Sequence, residues 1–167
     1  MKFHPSTVQS STASPLGPML LAASDAGLAG VWFHDQKHLP NSTAWPVQAQ
    51  HPVLLRAAKQ LQEYFAGQRQ VFDLPLDLRG GTAFQQSVWQ ALLQITPGDT
   101  TSYGVLSTRI HKPLAVRAVG AAVGRNPLSV IVPCHRVLGA DGSLTGYAAG
   151  LPRKQALLQL EQAQFTQ

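Results

Sequence analysis

The sequence predicts an α/β chain of the α+β type: a small N-terminal antiparallel β-sheet with one helix, then a mostly helical C-terminal unit containing a helix-turn-helix and a lone cysteine. Three observations predict it. Two apolar runs, residues 19–23 and 28–33, flank the turn-forming cluster Ser24-Asp25-Ala26-Gly27, which is the pattern of a β-hairpin. A helical period opens at Pro52. Beyond Arg79-Gly80-Gly81 the apolar spacing becomes mainly helical, so the expected domains are 1–79 and 80–167.

Each element has its own local reason. Residues 34–50 hold two prolines and no periodicity, and are expected as loop. From Pro52, residues Leu54, Ala58, Leu61 and Phe65 follow the spacing i, i+4, i+7, i+11, and Gly67 stops the helix. Residues 71–78 alternate apolar and acidic, predicting a strand or extended linker with Asp73 and Asp77 on a solvated face rather than forming an acid/base pair. Thr82 and Gln85 form a capping box ahead of Phe84, Val88 and Leu92, with Trp89 and Leu93 flanking the stripe.

Pro97-Gly98-Asp99 breaks that helix, and Ser102 caps a short one carrying Tyr103, Leu106 and Ile110. His111-Lys112-Pro113 then turns the chain into a helix over 114–124, completing a helix-turn-helix. At about 100° per residue, Val116, Val119 and Val123 cluster for burial, and Arg117, Ala118, Ala121, Ala122 and Arg125 cluster outward. Such a small, basic face can approach DNA closely while its arginines meet phosphate or replace a displaced base. It lacks Asn and Gln for reading bases, so binding is expected to be largely independent of sequence. A plain alanine-rich surface helix is the alternative.

Ala140-Asp141-Gly142-Ser143 predicts a tight turn, and Gly146-Tyr147-Ala148-Ala149-Gly150 a small-residue loop able to sit against a planar ligand. Pro152 starts the last helix, where Leu157, Leu160 and Glu161 lie three and four residues apart. Glu161 therefore falls beside the apolar stripe, either in water or buried against a partner such as a histidine.

Composition narrows the function classes. With 167 residues and 44% hydrophobic content the chain can bury a real core. One cysteine forms no internal disulfide and no multi-cysteine zinc site, and the six histidines lack metal-ligand spacing, so neither metal nor cofactor is expected. Residues 1–18 lack the apolar segment of a signal peptide or membrane span, so a cytoplasmic location without membrane association is expected. The net charge of +5 is uneven: residues 1–80 hold six Lys/Arg against five Asp/Glu, and residues 81–167 seven against three. That excess suits a polyanion.

The most informative stretch is Leu128 to Val137. Val130, Ile131 and Val132 are β-branched and apolar, predicting a buried strand that Pro133 ends, with Cys134 held on rigid backbone. His135 and Arg136 beside it favour the thiolate, the nucleophilic form. The alternative is a cysteine that is merely a small buried hydrophobe.

Pro133-Cys134-His135-Arg136-Val137 resembles the acceptor motif of the O6-alkylguanine-DNA alkyltransferases. The resemblance runs from Ser14-Pro15-Leu16-Gly17 to the final helix, with Tyr103, Arg117, Asn126, Tyr147, Lys154 and Glu161 at family spacing from Cys134. It implies an irreversible, stoichiometric suicide transfer: Cys134 takes the alkyl group from O6-alkylguanine, and from O4-alkylthymine as well, in double-stranded DNA. His135 is then the base through a bridging water, with Glu161 orienting it. Asn126 braces the turn, Tyr103 donates a proton or a hydrogen bond to the leaving guanine, and Arg117 fills the space of the flipped nucleotide. By the same resemblance Tyr103, Val137, Tyr147, Ala148, Ala149 and Lys154 form the base pocket, and Arg117, Ala118, Ala121, Ala122 and Arg125 enter the minor groove. A monomer is implied, nucleoid-associated if bacterial, with cooperative binding along DNA left open.

The chain departs from the family at Ala149, where many members have glycine, and the added methyl is expected to narrow the pocket. Full inactivation by free O6-benzylguanine at low concentration would rule this out. The zinc ligands and the extra N-terminal activator domain of some relatives are not expected here. A lesion binder that accepts no alkyl group, a cysteine hydrolase using Cys134, His135 and Glu161, and a helix-turn-helix transcription factor are the competing readings. The acceptor cysteine argues against the first. The alanine-arginine helix is unexplained by the second, and loss of all function in Cys134→Ser would count against the third.

Overall fold

The computed structural model describes residues 1–167, which form two compact units: Met1–Gly81 with Pro127–Ile131, and Thr82–Asn126 with Val132–Gln167. No helix is long and apolar enough to cross a membrane.

The first unit is a three-stranded antiparallel meander of β1 (Val8–Thr12), β2 (Met19–Ser24) and β3 (Gly27–Phe33). The expected hairpin is β2–β3, pairing Met19 with Phe33 and Leu20 with Trp32. Both strands are buried along their whole length, as their continuous apolar runs require. Helix α1 (Pro52–Phe65) packs on the sheet through Leu54, Ala57, Leu61 and Tyr64. Its buried stripe thus passes through Ala57 and Tyr64 rather than Ala58 and Phe65. Trp32 packs with Phe3 and Trp45, the ring centroids of Phe3 lying 5.7 and 4.9 Å from the two indoles. Gly30 has no side chain because the Trp32 ring occupies the place of one: a Cβ there would lie 1.7 Å from it.

Strand β1 is not evident from its sequence, Val-Gln-Ser-Ser-Thr, because its backbone pairing with β2 stabilises what its side chains do not announce. Gln9 within it also fastens residues 34–50, which are loop as expected, by donating its side-chain amide to the carbonyls of Ser42 and Trp45. Residues 71–78 are extended without forming a named strand, Leu76 bridging to Leu28. Asp77 departs from expectation. It is buried, accepts from Ser24 Oγ at 2.5 Å, and takes two bonds from Arg79 at 2.8 Å, so its carboxylate is paired, not solvated.

The expected strand over Val130, Ile131 and Val132 does not form. All three are buried, but the backbone turns, and Val130 adopts a φ of +73°. A β-branched residue in that region is strained and persists only where its surroundings enforce it. Here the Val31 N–H donates to the Pro127 carbonyl at 2.8 Å, and the Ser129 N–H donates to the Val31 carbonyl at 2.9 Å. A single bridge to β3 therefore replaces a ladder.

The second unit starts with α2 (Ala83–Leu92), whose Thr82/Gln85 capping box is formed in both directions. Ser102 caps α3 (Tyr103–Arg109) by accepting from the Val105 N–H. Helix α4 is Val116–Gly124, starting two residues later than expected because Pro113 and Leu114 stay in the turn. Helices α3 and α4 make the helix-turn-helix. Two-residue strands β4 (Thr101–Ser102) and β5 (Val137–Leu138) pair in parallel, and α5 (Leu151–Leu160) closes the unit.

Candidate active site

Cys134 opens a single 3₁₀ turn, Cys134–Arg136, and only 6% of it is exposed. Its backbone N–H donates to the Val132 carbonyl. Asn126, the second residue after α4, donates from Nδ2 to that same carbonyl at 2.8 Å and to Cys134 Sγ at 3.1 Å. One amide thus supports both the turn and the sulfur.

Burial pushes the Cys134 thiol up, more than the Asn126 bond and the Lys154 charge pull it down. The expectation that His135 and Arg136 favour the thiolate is corrected accordingly. In the free protein desolvation dominates, and the sulfur keeps its proton until a base removes it.

His135 is fully buried, and its Nε2 lies 2.9 Å from Glu161 Oε1. Burial lowers the imidazole pKa despite the carboxylate. Glu161, just past the end of α5, has a side chain only 3% exposed. It is therefore buried and partnered, the second of the two sequence alternatives. Burial alone would raise its carboxyl, but bonds from Arg136 and His135 outweigh that and hold it well below the usual carboxylate range. An ionised carboxylate only accepts, so Nε2 of His135 carries the proton and Nδ1 presents its lone pair. Nδ1 has no protein hydrogen-bond partner.

The loop lining residues are fastened by Lys154. Its Nζ is buried and donates to the carbonyls of Val137, Thr145 and Gly146 at 2.5, 2.7 and 3.2 Å. Desolvation lowers its pKa to about 8, the neighbouring cysteine opposing that. Tyr103, first residue of α3, donates its hydroxyl to the Thr145 carbonyl at 3.3 Å. Burial raises the phenol's pKa, so it remains a proton donor. Tyr147 and Ala148 are half-buried and Ala149 is buried, its carbonyl accepting from Arg153 at 3.1 Å.

On α4, Arg117, Ala118 and Ala121 are exposed, as is Arg125 just beyond its end. Ala122 is not outward. It is buried, with its carbonyl accepting from the Trp89 indole N–H at 2.8 Å, while Val116 is 39% exposed. Ala122 and Val116 each lie about 60° from Val119, on opposite sides, and α2 covers the Ala122 side.

Sequence reasoning passed over Arg136 as more than a cation near the cysteine. Its guanidinium donates to both oxygens of Glu161 at 2.8 Å and also to the Ile95 carbonyl. Adjacency to the cysteine was the only available signal, and it does not indicate that the side chain's partners are Glu161 and the Ile95 carbonyl.

Two family descriptions match the chain: the "6-O-methylguanine DNA methyltransferase, ribonuclease-like domain" over residues 7–78, and the "DNA binding domain" of the same name over residues 83–163. The methylated-DNA--protein-cysteine methyltransferase of Mycobacterium bovis is 49% identical over 150 residues, covering 90% of this chain and 89% of that protein. Its Haemophilus influenzae counterpart is 43% identical over 153 residues, covering 91% and 84%. Among solved structures, Mycobacterium tuberculosis O6-methylguanine methyltransferase superposes with a TM-score of 0.84 at 47% identity, covering 93% of each chain. Mycobacterium tuberculosis OGT in complex with DNA gives 0.83 at 47% identity, covering 91% of each. Matched on both sides of Gly80 and along nearly its whole length, this chain belongs to the 6-O-methylguanine DNA methyltransferase family.

Proposed function

We propose that this protein repairs DNA by direct reversal, moving the alkyl group of O6-alkylguanine to Sγ of Cys134, and that O4-alkylthymine is a second substrate. The observation that carries the assignment is a buried sulfur braced by Asn126, followed in the chain by a buried imidazole whose Nδ1 has no protein partner and is the available base.

Cys134 is almost fully buried, and an alkylated base stacked in a duplex cannot meet its sulfur in line. The nucleotide is therefore flipped out of the helix into the pocket. Arg117 takes the vacated space. The exposed alanines of α4 allow close approach to the minor groove, with phosphate contacts supplying affinity and little sequence preference. The base lies against Tyr103, Val137, Tyr147, Ala148 and Ala149, on the loop that Lys154 holds.

The thiol proton passes through a bridging water to Nδ1 of His135, and Glu161 stabilises the imidazolium that forms. The sulfur–carbon bond forms as the carbon–oxygen bond breaks, and the electron pair stays with guanine, which takes a proton from the Tyr103 hydroxyl. The imidazolium then returns its proton to solvent and the tyrosine is reprotonated from it. The thioether has no good leaving group, so each molecule acts once. The protein works as a monomer in the cytoplasm, on the nucleoid in a bacterial cell.

Intact-protein mass spectrometry after incubation with an O6-methylguanine duplex tests this. Wild type should gain the mass of one methyl group, saturating at about one per protein, and Cys134→Ala should gain none. Tight lesion-dependent binding without any gain in mass would instead identify a lesion sensor.

A further inference from the structure

We propose that Arg136 is a positioning residue for the transfer. Its guanidinium holds the Glu161 carboxylate by both oxygens, keeps it an acceptor on Nε2 of His135, and thereby leaves Nδ1 as the only site able to take the thiol proton.

The geometry points to this in three steps. Arg136 Nε donates to Glu161 Oε2 and Nη2 to Oε1, both at 2.8 Å, a bidentate fork that fixes the plane of the carboxylate. Nη1 donates to the Ile95 carbonyl, so the fork is itself tied to backbone. Oε1 is shared by Arg136 Nη2 and His135 Nε2, and so links the arginine to the imidazole by hydrogen bonds. Were Glu161 protonated, its hydroxyl could donate to Nε2. The imidazole proton would then sit on Nδ1, which would become a donor, and the base would be lost.

The charges facing the imidazole are Glu161, Arg136 and Lys154. The two cations oppose formation of the imidazolium and the carboxylate favours it. Removing Arg136 therefore has two signed effects: it frees Glu161 to move and protonate, and it removes a cation from beside the ring. The first moves the protonation of Glu161 to higher pH, and the second moves that of His135 the same way while the carboxylate stays ionised. Because transfer needs an unprotonated imidazole, the acid limb of the rate profile moves the same way.

This inference rests on the transfer reading above, and the test separates the two. The rate of transfer from an O6-methylguanine duplex is measured against pH for wild type, Arg136→Gln, Arg136→Lys, Glu161→Gln and the double variant Arg136→Gln/Glu161→Gln. The His135 imidazole is titrated by NMR in the same proteins, and duplex affinity is measured alongside. Arg136→Gln should lower the rate on the order of tenfold to a hundredfold, with unchanged affinity, an acid limb at higher pH and a raised imidazole titration. Arg136→Lys should restore part of the rate. In the Glu161→Gln background Arg136→Gln should add little, since the arginine acts through that carboxylate.

An unshifted His135 titration in Arg136→Gln overturns the proposal, whether or not methyl transfer is seen. So does a full additive loss in the double variant, which would mark Arg136 as a packing residue. Absence of transfer in wild type would defeat the transfer reading, while the imidazole titration would still decide the role of Arg136. If Arg136→Gln does not fold, the transfer rate of Arg136→Lys supplies the decision, since lysine keeps the charge but not the fork, with an unchanged rate counting against the proposal.

Discussion

At the scale of single residues, the side chains that matter most are buried polar groups with more than one partner. The Asn126 amide serves the Val132 carbonyl and the Cys134 sulfur at once. Asn126→Ala should cost about 1–3 kcal/mol in urea unfolding, because the sulfur loses its side-chain donor and the Val132 carbonyl one of its two donors in a buried place. An unchanged midpoint would mean that the turn is held by its backbone alone. Asp77 gives a pH-dependent case. Bonds from Arg79 and Ser24 hold its carboxyl well below the ordinary 3.8, although burial opposes them. A depressed carboxyl contributes stability that is fully present above the unfolded value and fades as pH falls below it towards the folded one. Asp77→Asn should therefore unfold more easily at neutral pH, and the difference from wild type should shrink below about pH 4; a constant difference across that range would refute the ion-pair account. Neither Asn126 nor Asp77 is recognisable as buried from its neighbours in sequence. Burial depends on residues from other segments, and Asp77 sits in an alternating pattern that ordinarily denotes a solvated face.

At the scale of elements, α4 shows what periodicity resolves and what it leaves open. Its spacing correctly sets Arg117, Ala118 and Ala121 outward and Val119 and Val123 inward. It favours Val116, which lies nearer the line of Val119 and Val123, over Ala122, and the position of Trp89 on α2 decides instead in favour of Ala122. Arg117→Ala should weaken duplex binding to similar extents across sequence contexts and lower the slope of log affinity against log salt by about one. Loss confined to particular base sequences would instead identify a base-reading arginine. The capping box and the Ser102 cap were legible because they depend on residues three apart on one chain. Strand β1 and the turn at Val130 were not, since a polar strand and a strained valine are both stabilised by pairing with distant backbone.

At the scale of the whole molecule, the excess positive charge of residues 81–167 coincides with the family's DNA-binding domain. Arg109, Lys112, Arg117 and Arg125 are all exposed around the helix-turn-helix. If these four meet phosphates, the log–log salt slope for an undamaged duplex should be about −3 to −4, measurable by fluorescence anisotropy. A slope near zero would place the interface elsewhere. The first unit's long segment ends at Gly81, at the glycine pair. The return of Pro127–Ile131 to that unit was not legible in the sequence. It places the segment between Asn126 and Cys134 on the edge of β3, a pairing that no local pattern encodes.

By itself the sequence determined the elements whose stability is local, namely the apolar hairpin and the capped helices, and it determined the family through an acceptor motif with partners at set spacing. Tertiary structure alone decided the electrostatics of the site. Burial pushes the thiol up, the imidazole presents Nδ1 because an ionised carboxylate accepts from Nε2, and bonds from Arg136 and His135 hold that carboxyl low against its burial. Desolvation and charge pairing depend on three-dimensional surroundings over a few ångströms, a distance that sequence separation does not measure.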